Sequence, residues 1–406
     1  GAGDSGHNSL LKRPCGGVAS RVGGVMGYYD VIRQRVELGA ERITLLSKAG
    51  MVPWEEVAET AALLAESAEV QPGMRVLLLE GGAGALAVWA ARRGAEVHVY
   101  DGSLVAARMA RLTLQANDVT GATLVDAAYP GPEVAATFDV ALLPLPKGRA
   151  YTRLLLGAAG RALKPGGRLY LAGPNAGGAK AVIKDAGAIL GRAATIRTRA
   201  RHRVGLAVKL GGHALAEAAE TWHEFQALGL RLFSIPGVFS REGLDDGTAM
   251  LLGTLDAALC AGKRVLDVGC GYGVVGMVAA RLGAAAVDLV DVQWLAVACT
   301  AHGVAANRLG DTCRVWASDL YMDVEEGPAY DLILSNPPFH AGHTVSVEAA
   351  EALMVGARDR LAQGGRLRLV TNRFLPHDRL LRRVFGASRV AVLAEDTRYR
   401  VIEGLR

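Results

Sequence analysis

The run Ser335-Asn-Pro-Pro-Phe-His340 joins a side-chain amide, two prolines and an aromatic ring at the end of an apolar stretch. Pro337 and Pro338 fix φ and remove backbone N–H donors, so the turn they make is rigid. In such a turn the side-chain carbonyl of Asn336 and the backbone carbonyl after it can accept both hydrogens of one planar amino group. An amine conjugated to a base ring is a poor nucleophile. Acceptors on its two hydrogens hold the nitrogen lone pair towards an incoming methyl group, which is catalysis by orientation and electrostatics. Phe339 offers a face on which the base can stack. The plain alternative is a structural turn with a buried phenylalanine.

A second chemical signal lies upstream. Arg264-Val-Leu-Asp-Val-Gly-Cys-Gly-Tyr-Gly273 reads as a short apolar strand running into a glycine turn and then a helix. Glycines let the backbone turn sharply and approach a ligand, because no Cβ blocks positive φ or close contact. Asp291 closes the next apolar run, the position from which a carboxylate accepts hydrogen bonds from ribose hydroxyls. The pair marks a cofactor that carries a nucleoside. Gly271-Tyr-Gly-Val-Val-Gly276 also satisfies the glycine pattern of a dinucleotide dehydrogenase, and the loop alone does not separate the two readings. Asn336-Pro-Pro-Phe339, which a dehydrogenase leaves unexplained, favours transfer to an amine.

The elements that must position these residues occur twice. Arg75-Val-Leu-Leu-Leu-Glu-Gly-Gly-Ala-Gly84 repeats the strand and glycine turn, and further landmarks follow in order. Asp101 matches Asp291, Asn117 matches Asn307, Phe138-Asp139 matches Tyr330-Asp331, and Pro165-Gly-Gly-Arg-Leu169 matches Gln363-Gly-Gly-Arg-Leu367. An ordered series of this kind indicates a duplicated domain. Apolar runs such as Val97–Asp101 and Asp331–Ser335 read as buried parallel strands, alternating with helical segments such as Val105–Asn117 and Ala296–Asn307. The expected fold class is α/β, with two tandem doubly wound, mostly parallel sheets. The expected division is 1–210, a helical connector over 211–234, and 235–406. Pro53 is expected in the first turn of a helix ending near Glu69.

Composition narrows the class. The chain has 406 residues, 51% hydrophobic and 21% charged, which is ordinary globular composition and not that of a disordered chain. No stretch reaches the roughly 18 apolar residues of a membrane span, so no membrane role is expected. Five cysteines, without a Cys-x-x-Cys pair or histidines at zinc spacing, suggest neither a disulfide scaffold nor a metal site, and fit a reducing cytoplasm. No charged segment followed by an apolar one opens the chain, so no signal peptide is expected. The net charge of +5 permits a polyanionic partner without requiring one.

The Asp-x-Gly-x-Gly-x-Gly loop together with Asn-Pro-Pro-Phe resembles class I S-adenosylmethionine-dependent methyltransferases that act on amino nitrogens. Pro236-Gly-Val-Phe-Ser-Arg-Glu-Gly-Leu244, Asn336-Pro-Pro-Phe-His-Ala-Gly342 and Asn372-Arg-Phe-Leu-Pro376 look like the bacterial ribosomal RNA guanine-N2 methyltransferases, particularly the small-subunit type. The resemblance covers Pro236 to about Val401 closely. It implies two Rossmann-like class I methyltransferase domains, the first degenerate, acting in the cytoplasm on ribosomal RNA or the small subunit. Asp267, Gly269, Gly271 and Gly273 would line the methionine and ribose part of S-adenosylmethionine, with Asp291 on the ribose. Ser318 and Asp319 would flank the adenine, Asp319 accepting from its amino group. Asn336 to Phe339 would hold the guanine. Phe239, Ser240, Gly247 and Thr248 would either cover the cofactor or pack a helix N-terminus, and His340 and Asn372 would either read the base edge or serve as ordinary loop residues. Alternative targets within the same chemistry are a large-subunit guanine, an adenine N6 or a protein glutamine. A noncatalytic rRNA-binding assembly factor is the alternative from another class.

The first copy departs from this pattern. Leu78 stands for Asp267, Glu80 for Gly269, and Pro144-Leu-Pro-Lys147 for Asn336-Pro-Pro-Phe339. It lacks the amide and the stacking ring, so a noncatalytic half that binds RNA or packs on its partner is expected. Arg197, Arg199, Arg201 and Arg203 recur at period two, which on one strand would set all four on a single face able to contact phosphates. The competing reading is a charged, solvated edge strand.

Overall fold

The computed structural model describes residues 27–211, 222–337 and 347–406. Two seven-stranded sheets dominate it, one in each half. Numbered by chain order within each sheet, the strands of both run 3-2-1-4-5-7-6. The first five are parallel neighbours, and the last two form an antiparallel edge. The shared order is the structural counterpart of the repeated landmarks. Strands such as Arg264–Val268 and Arg75–Leu79 lie in the middle of their sheets with helices on both faces, and their branched residues are fully buried. Both central strands are anchored alike at their start: Arg75 donates its N–H to Asp139 and Arg264 to Asp331, each at 2.9 Å.

Two antiparallel hairpins lie outside these sheets. Val31–Leu38 pairs with Glu41–Lys48 and rests on the helix Leu104–Ala116, to which Leu46 is bonded through Thr113 and Thr44 through Asn117, both at 3.0 Å. The second hairpin joins His223–Ala227 to Leu230–Ser234. It replaces the helix expected at the end of the connector; residues 212–221 lie outside the described part. Phe225 and Ala227, then Leu230 and Leu232, alternate inward, and Leu228 and Gly229 both take positive φ, the geometry of a tight hairpin turn.

The arginine series is also differently built. Arg197 and Arg199 end the strand Gly191–Arg199, Ala200 and Arg201 form a turn with positive φ, and Arg203 lies on the returning strand His202–Lys209. The four therefore wrap a hairpin tip and do not share one strand face. Arg197 pairs with Glu66, and Arg199 with Glu59 and Glu66, all on the helix Trp54–Ser67. That helix begins directly after Pro53.

The halves meet along their loops. Leu104 donates its N–H to the Val292 carbonyl at 2.9 Å, Trp294 donates to the Gly102 carbonyl at 3.0 Å, and Ser103 bridges Gln293. The Tyr151 ring of the first half lies against Gly237 of the second, where φ is +106° and a Cβ would come within 2.9 Å of it. Among the described residues no helix is long and apolar enough to cross a membrane.

Candidate active site

The glycine turn of the second half follows the strand Arg264–Val268 and opens the helix Val274–Arg281. Gly273 takes φ +83°, and a Cβ there would stand 2.6 Å from Thr300, so only glycine lets the turn close against the neighbouring helix. Gly271 also has positive φ, but a Cβ on it would meet no atom within 4 Å. The turn is thus packed on one side and open on the other.

Asp291 ends the adjacent strand, and its two carboxylate oxygens accept the N–H groups of Gly271 and Gln293, both at 2.9 Å. Burial pushes its carboxyl above the ordinary range, against the pull of these donors. The Val292 N–H also bonds this carboxylate, which keeps a lone pair for a further donor. Asp267 is 1% exposed and accepts the Gly276 N–H at 2.8 Å, which ties the strand to the helix start. Burial raises its carboxyl to about 7.

Asn336 follows the strand Tyr330–Ser335, the neighbour of the glycine-turn strand. Ser335 fixes that junction by donating its hydroxyl to the Val268 carbonyl at 2.7 Å. The Asn336 amide nitrogen donates to the Thr248 hydroxyl at 2.7 Å and points a second N–H at the Asp245 carboxylate, 3.4 Å away. Asp245 caps the helix Asp246–Leu252 and also accepts the Thr248 N–H. With its nitrogen so engaged, the amide turns its oxygen away from Thr248. Pro338, Phe339 and His340 lie outside the described residues.

The loop ahead of that helix lies over the glycine turn, since the Tyr272 hydroxyl donates to the Gly243 carbonyl at 3.3 Å. Ser240 has positive φ and donates to the same carbonyl, while Phe239 is 62% exposed. Gly247 makes room for the Tyr399 ring, 3.2 Å from where its Cβ would be. Asn372 and Tyr399 face each other across paired strands and line a cleft of about 660 Å³ with Phe374 and three arginines. Asn372 therefore opens onto a groove beside the helix that holds Asn336.

Asp319 departs from its expected surroundings. It is 1% exposed and forms a buried ion pair with Lys48 of the first half, while its other oxygen accepts the Tyr28 hydroxyl at 2.7 Å. Ser318 is buried in the same turn, bonded to the Leu320 carbonyl. Sequence reasoning missed Asp245 and Lys48. The first carries a signal, Asp followed three residues on by Thr at a helix start; the second carries none.

In the first half, Glu80 adopts φ +52° at the position of Gly269. Its carboxyl accepts the Tyr151 hydroxyl at 2.6 Å and faces the Gly102 N–H. Burial raises it, and raises neighbouring Asp101 to about 8. Where the second half has Gly269, the first thus holds a buried acid bonded to a tyrosine.

A family model described as Methyltransferase small domain matches the chain twice, over residues 42–204 and 229–403. A ribosomal RNA small subunit methyltransferase C from Chromohalobacter salexigens is 42% identical over 279 residues, covering 68% of this chain and 80% of that protein. A protein of the same name from Serratia proteamaculans is 42% identical over 183 residues, half of its own length. Among solved structures, a 16S rRNA N2 methyltransferase of T. thermophilus, in complex with AdoMet and guanosine, superposes with a TM-score of 0.78 at 31% identity, covering 92% of this chain and 98% of that one.

Proposed function

Because the chain belongs to the methyltransferase small-domain family, and within it to the ribosomal RNA small subunit methyltransferases C, we propose that it methylates the exocyclic N2 amine of a guanine in small-subunit ribosomal RNA. Its cofactor is S-adenosylmethionine, held in the second half by the turn at Gly269, Gly271 and Gly273 with Asp291 on the ribose. The open side of Gly271 and the adjoining carboxylate fit that group; the first half keeps an open Gly82 and the carboxylate of Asp101 but sets Glu80, bonded to Tyr151, at the position of Gly269, where the acid does not fit it. When bound, the cofactor supplies an electrophilic methyl group on a sulfonium.

The observation that carries the reading is the orientation of Asn336. Thr248 and Asp245 take the amide N–H groups, so the amide oxygen and the Pro337 carbonyl are the acceptors offered to the guanine amino group. Holding both amine hydrogens aims the nitrogen lone pair and stabilises the positive charge that develops on nitrogen as the N–C bond forms. The proton then leaves to solvent, and no general base is assigned. Phe339 stacks on the base, which must be unpaired or out of the helix to reach this turn. The cleft at Asn372, Phe374 and Tyr399 receives the adjoining RNA.

The test is transfer of labelled methyl from S-adenosylmethionine to ribosomal RNA, free and within small subunits, followed by nucleoside analysis. N2-methylguanosine is expected. A methylated adenosine, a methylated protein or no transfer would overturn the reading.

A further inference from the structure

We infer that the first half acts as a clamp on the cofactor site of the second: Lys48, Tyr28 and Arg108, with the backbone at Gly102 and Leu104, hold the loops that wall the nucleoside end of that site. The inference rests on the proposed reading that the site takes S-adenosylmethionine.

In an open α/β sheet, ligands lie outside the carboxyl ends of the strands, where the strand order reverses. The glycine turn, the Asp291–Trp294 loop and the Ser318–Asp323 turn all leave from those ends, after strands 1, 2 and 3 of the second sheet. They are linked in series, Gly271 N–H to the Asp291 carboxylate and Ser318 N–H to the Asp291 carbonyl, both at 2.9 Å. With Asp291 on the ribose and Asn336 on the far side of strand 1, the base of the cofactor falls between the second and third loops.

Both of those loops are gripped from the first half. The second is fixed by the reciprocal bonds of Leu104 to Val292 and Trp294 to Gly102. The third is held at two points. Lys48 pairs with Asp319 where both side chains are almost wholly buried, and its ammonium sits 3.8 Å from the centre of the Tyr28 ring. Burial and the Asp319 charge push the Tyr28 phenol up, so it stays a donor to that carboxylate. Arg108 pairs with Asp323 at 2.7 Å, and the other oxygen of Asp323 accepts the Asp319 N–H at 3.1 Å. Between the two grips Leu320 takes φ +51°, a conformation that a non-glycine residue keeps only when its surroundings impose it. Asp319 thus contributes through its place in the turn, and Lys48 and Arg108 are positioning residues.

The experiment uses the full chain and calorimetric titration with S-adenosylmethionine. Lys48→Met strands a buried carboxylate and is expected to weaken binding at least tenfold. Arg108→Met should weaken it by a similar factor, and Tyr28→Phe by about twofold to fivefold. At saturating cofactor, kcat and the KM for RNA should stay within threefold, and amide exchange over 318–323 should quicken. The double variant Lys48→Met, Asp319→Asn, which removes both charges, should recover most of the lost affinity. Unchanged affinity in both Lys48→Met and Arg108→Met overturns the clamp, as does a double variant that stays weak, since Asp319 would then bind the cofactor itself. Failure of the unaltered chain to bind S-adenosylmethionine would instead overturn the reading of the site.

Discussion

The Asn336 amide nitrogen lies 2.7 Å from the Thr248 hydroxyl, across the join between the strand that ends in the substrate turn and the helix capped by Asp245. A residue far upstream in sequence thereby decides which end of the catalytic amide meets the substrate. Thr248→Val keeps the shape and removes the acceptor, so it should lower kcat by about tenfold to a hundredfold, or about 1.4–2.7 kcal/mol at 1.36 kcal/mol per decade. Thr248→Ser should keep most of the rate. Equal rates for the valine and serine variants would show that the contact does not orient the amide.

Asn336→Ala should abolish transfer and leave cofactor affinity within a few fold, because the residue serves the amine. Asp291→Ala should act in the opposite order, raising the Kd for S-adenosylmethionine first. Near-full turnover in Asn336→Ala would reduce the turn to a structural one.

One cofactor should bind per chain. Glu80 and Tyr151 occupy the first site through a 2.6 Å hydrogen bond. A calorimetric stoichiometry of two would contradict this.

The arginine hairpin should contribute unequally to RNA binding. Arg197 and Arg199 must first release Glu66 and Glu59, whereas among the described residues Arg203 bonds the neutral Asn175 side chain and Arg201 has no carboxylate partner. Arg201→Gln with Arg203→Gln should lower the slope of log K against log salt by up to about 1.8 units, taking about 0.9 per phosphate contact from duplex DNA. Arg197→Gln with Arg199→Gln should change it less. A flat response to both pairs would leave the hairpin a solvated edge.

Stability should fall as pH rises from about 4 towards 8. Burial raises Asp101 to about 8 and Asp267 to about 7 in the folded chain, from an unfolded value of 3.8. The folded state therefore binds more protons between those limits, so its advantage is full below about pH 4, falls steadily as pH rises, and is gone above 7 to 8. Thermal midpoints should drop between about pH 5 and 8 and level off above, by about 2–4 °C for each 1 kcal/mol lost. Asp101→Asn, which cannot ionise, should flatten the drop. A midpoint that rises over this range would refute the assignment.

What the sequence made legible follows from chemistry that repeats. The strand and glycine turn recur because two sheets of one order need the same local geometry, and Asn336, Pro337 and Asp291 stand out because few other roles need them. The hairpin at 223–234 did carry a signal, since Phe225 and Ala227, then Leu230 and Leu232, alternate at the period of a strand and do not share a helix face, with Leu228–Gly229 as the turn between them. The turn at Ala200–Arg201 gave less warning still, as neither residue favours positive φ. Lys48 was beyond reach, since its partner Asp319 belongs to the other half and the pair exists only once the halves are packed.

The bonds between the halves join positions that correspond to one another in the duplication. Ser103 bridges Gln293, its own equivalent, and the bond from Leu104 to Val292 is matched by the one from Trp294 to Gly102. Reciprocal contacts between like residues are the mark of an isologous interface, the kind a homodimer makes about a two-fold axis. The fused chain is thus arranged as a dimer of its own halves, with the pseudo-axis beside Ser103 and Gln293. Glu80 fills one centre of that pair, and the reciprocal backbone bonds at Gly102–Leu104 and Val292–Trp294 are made regardless of it.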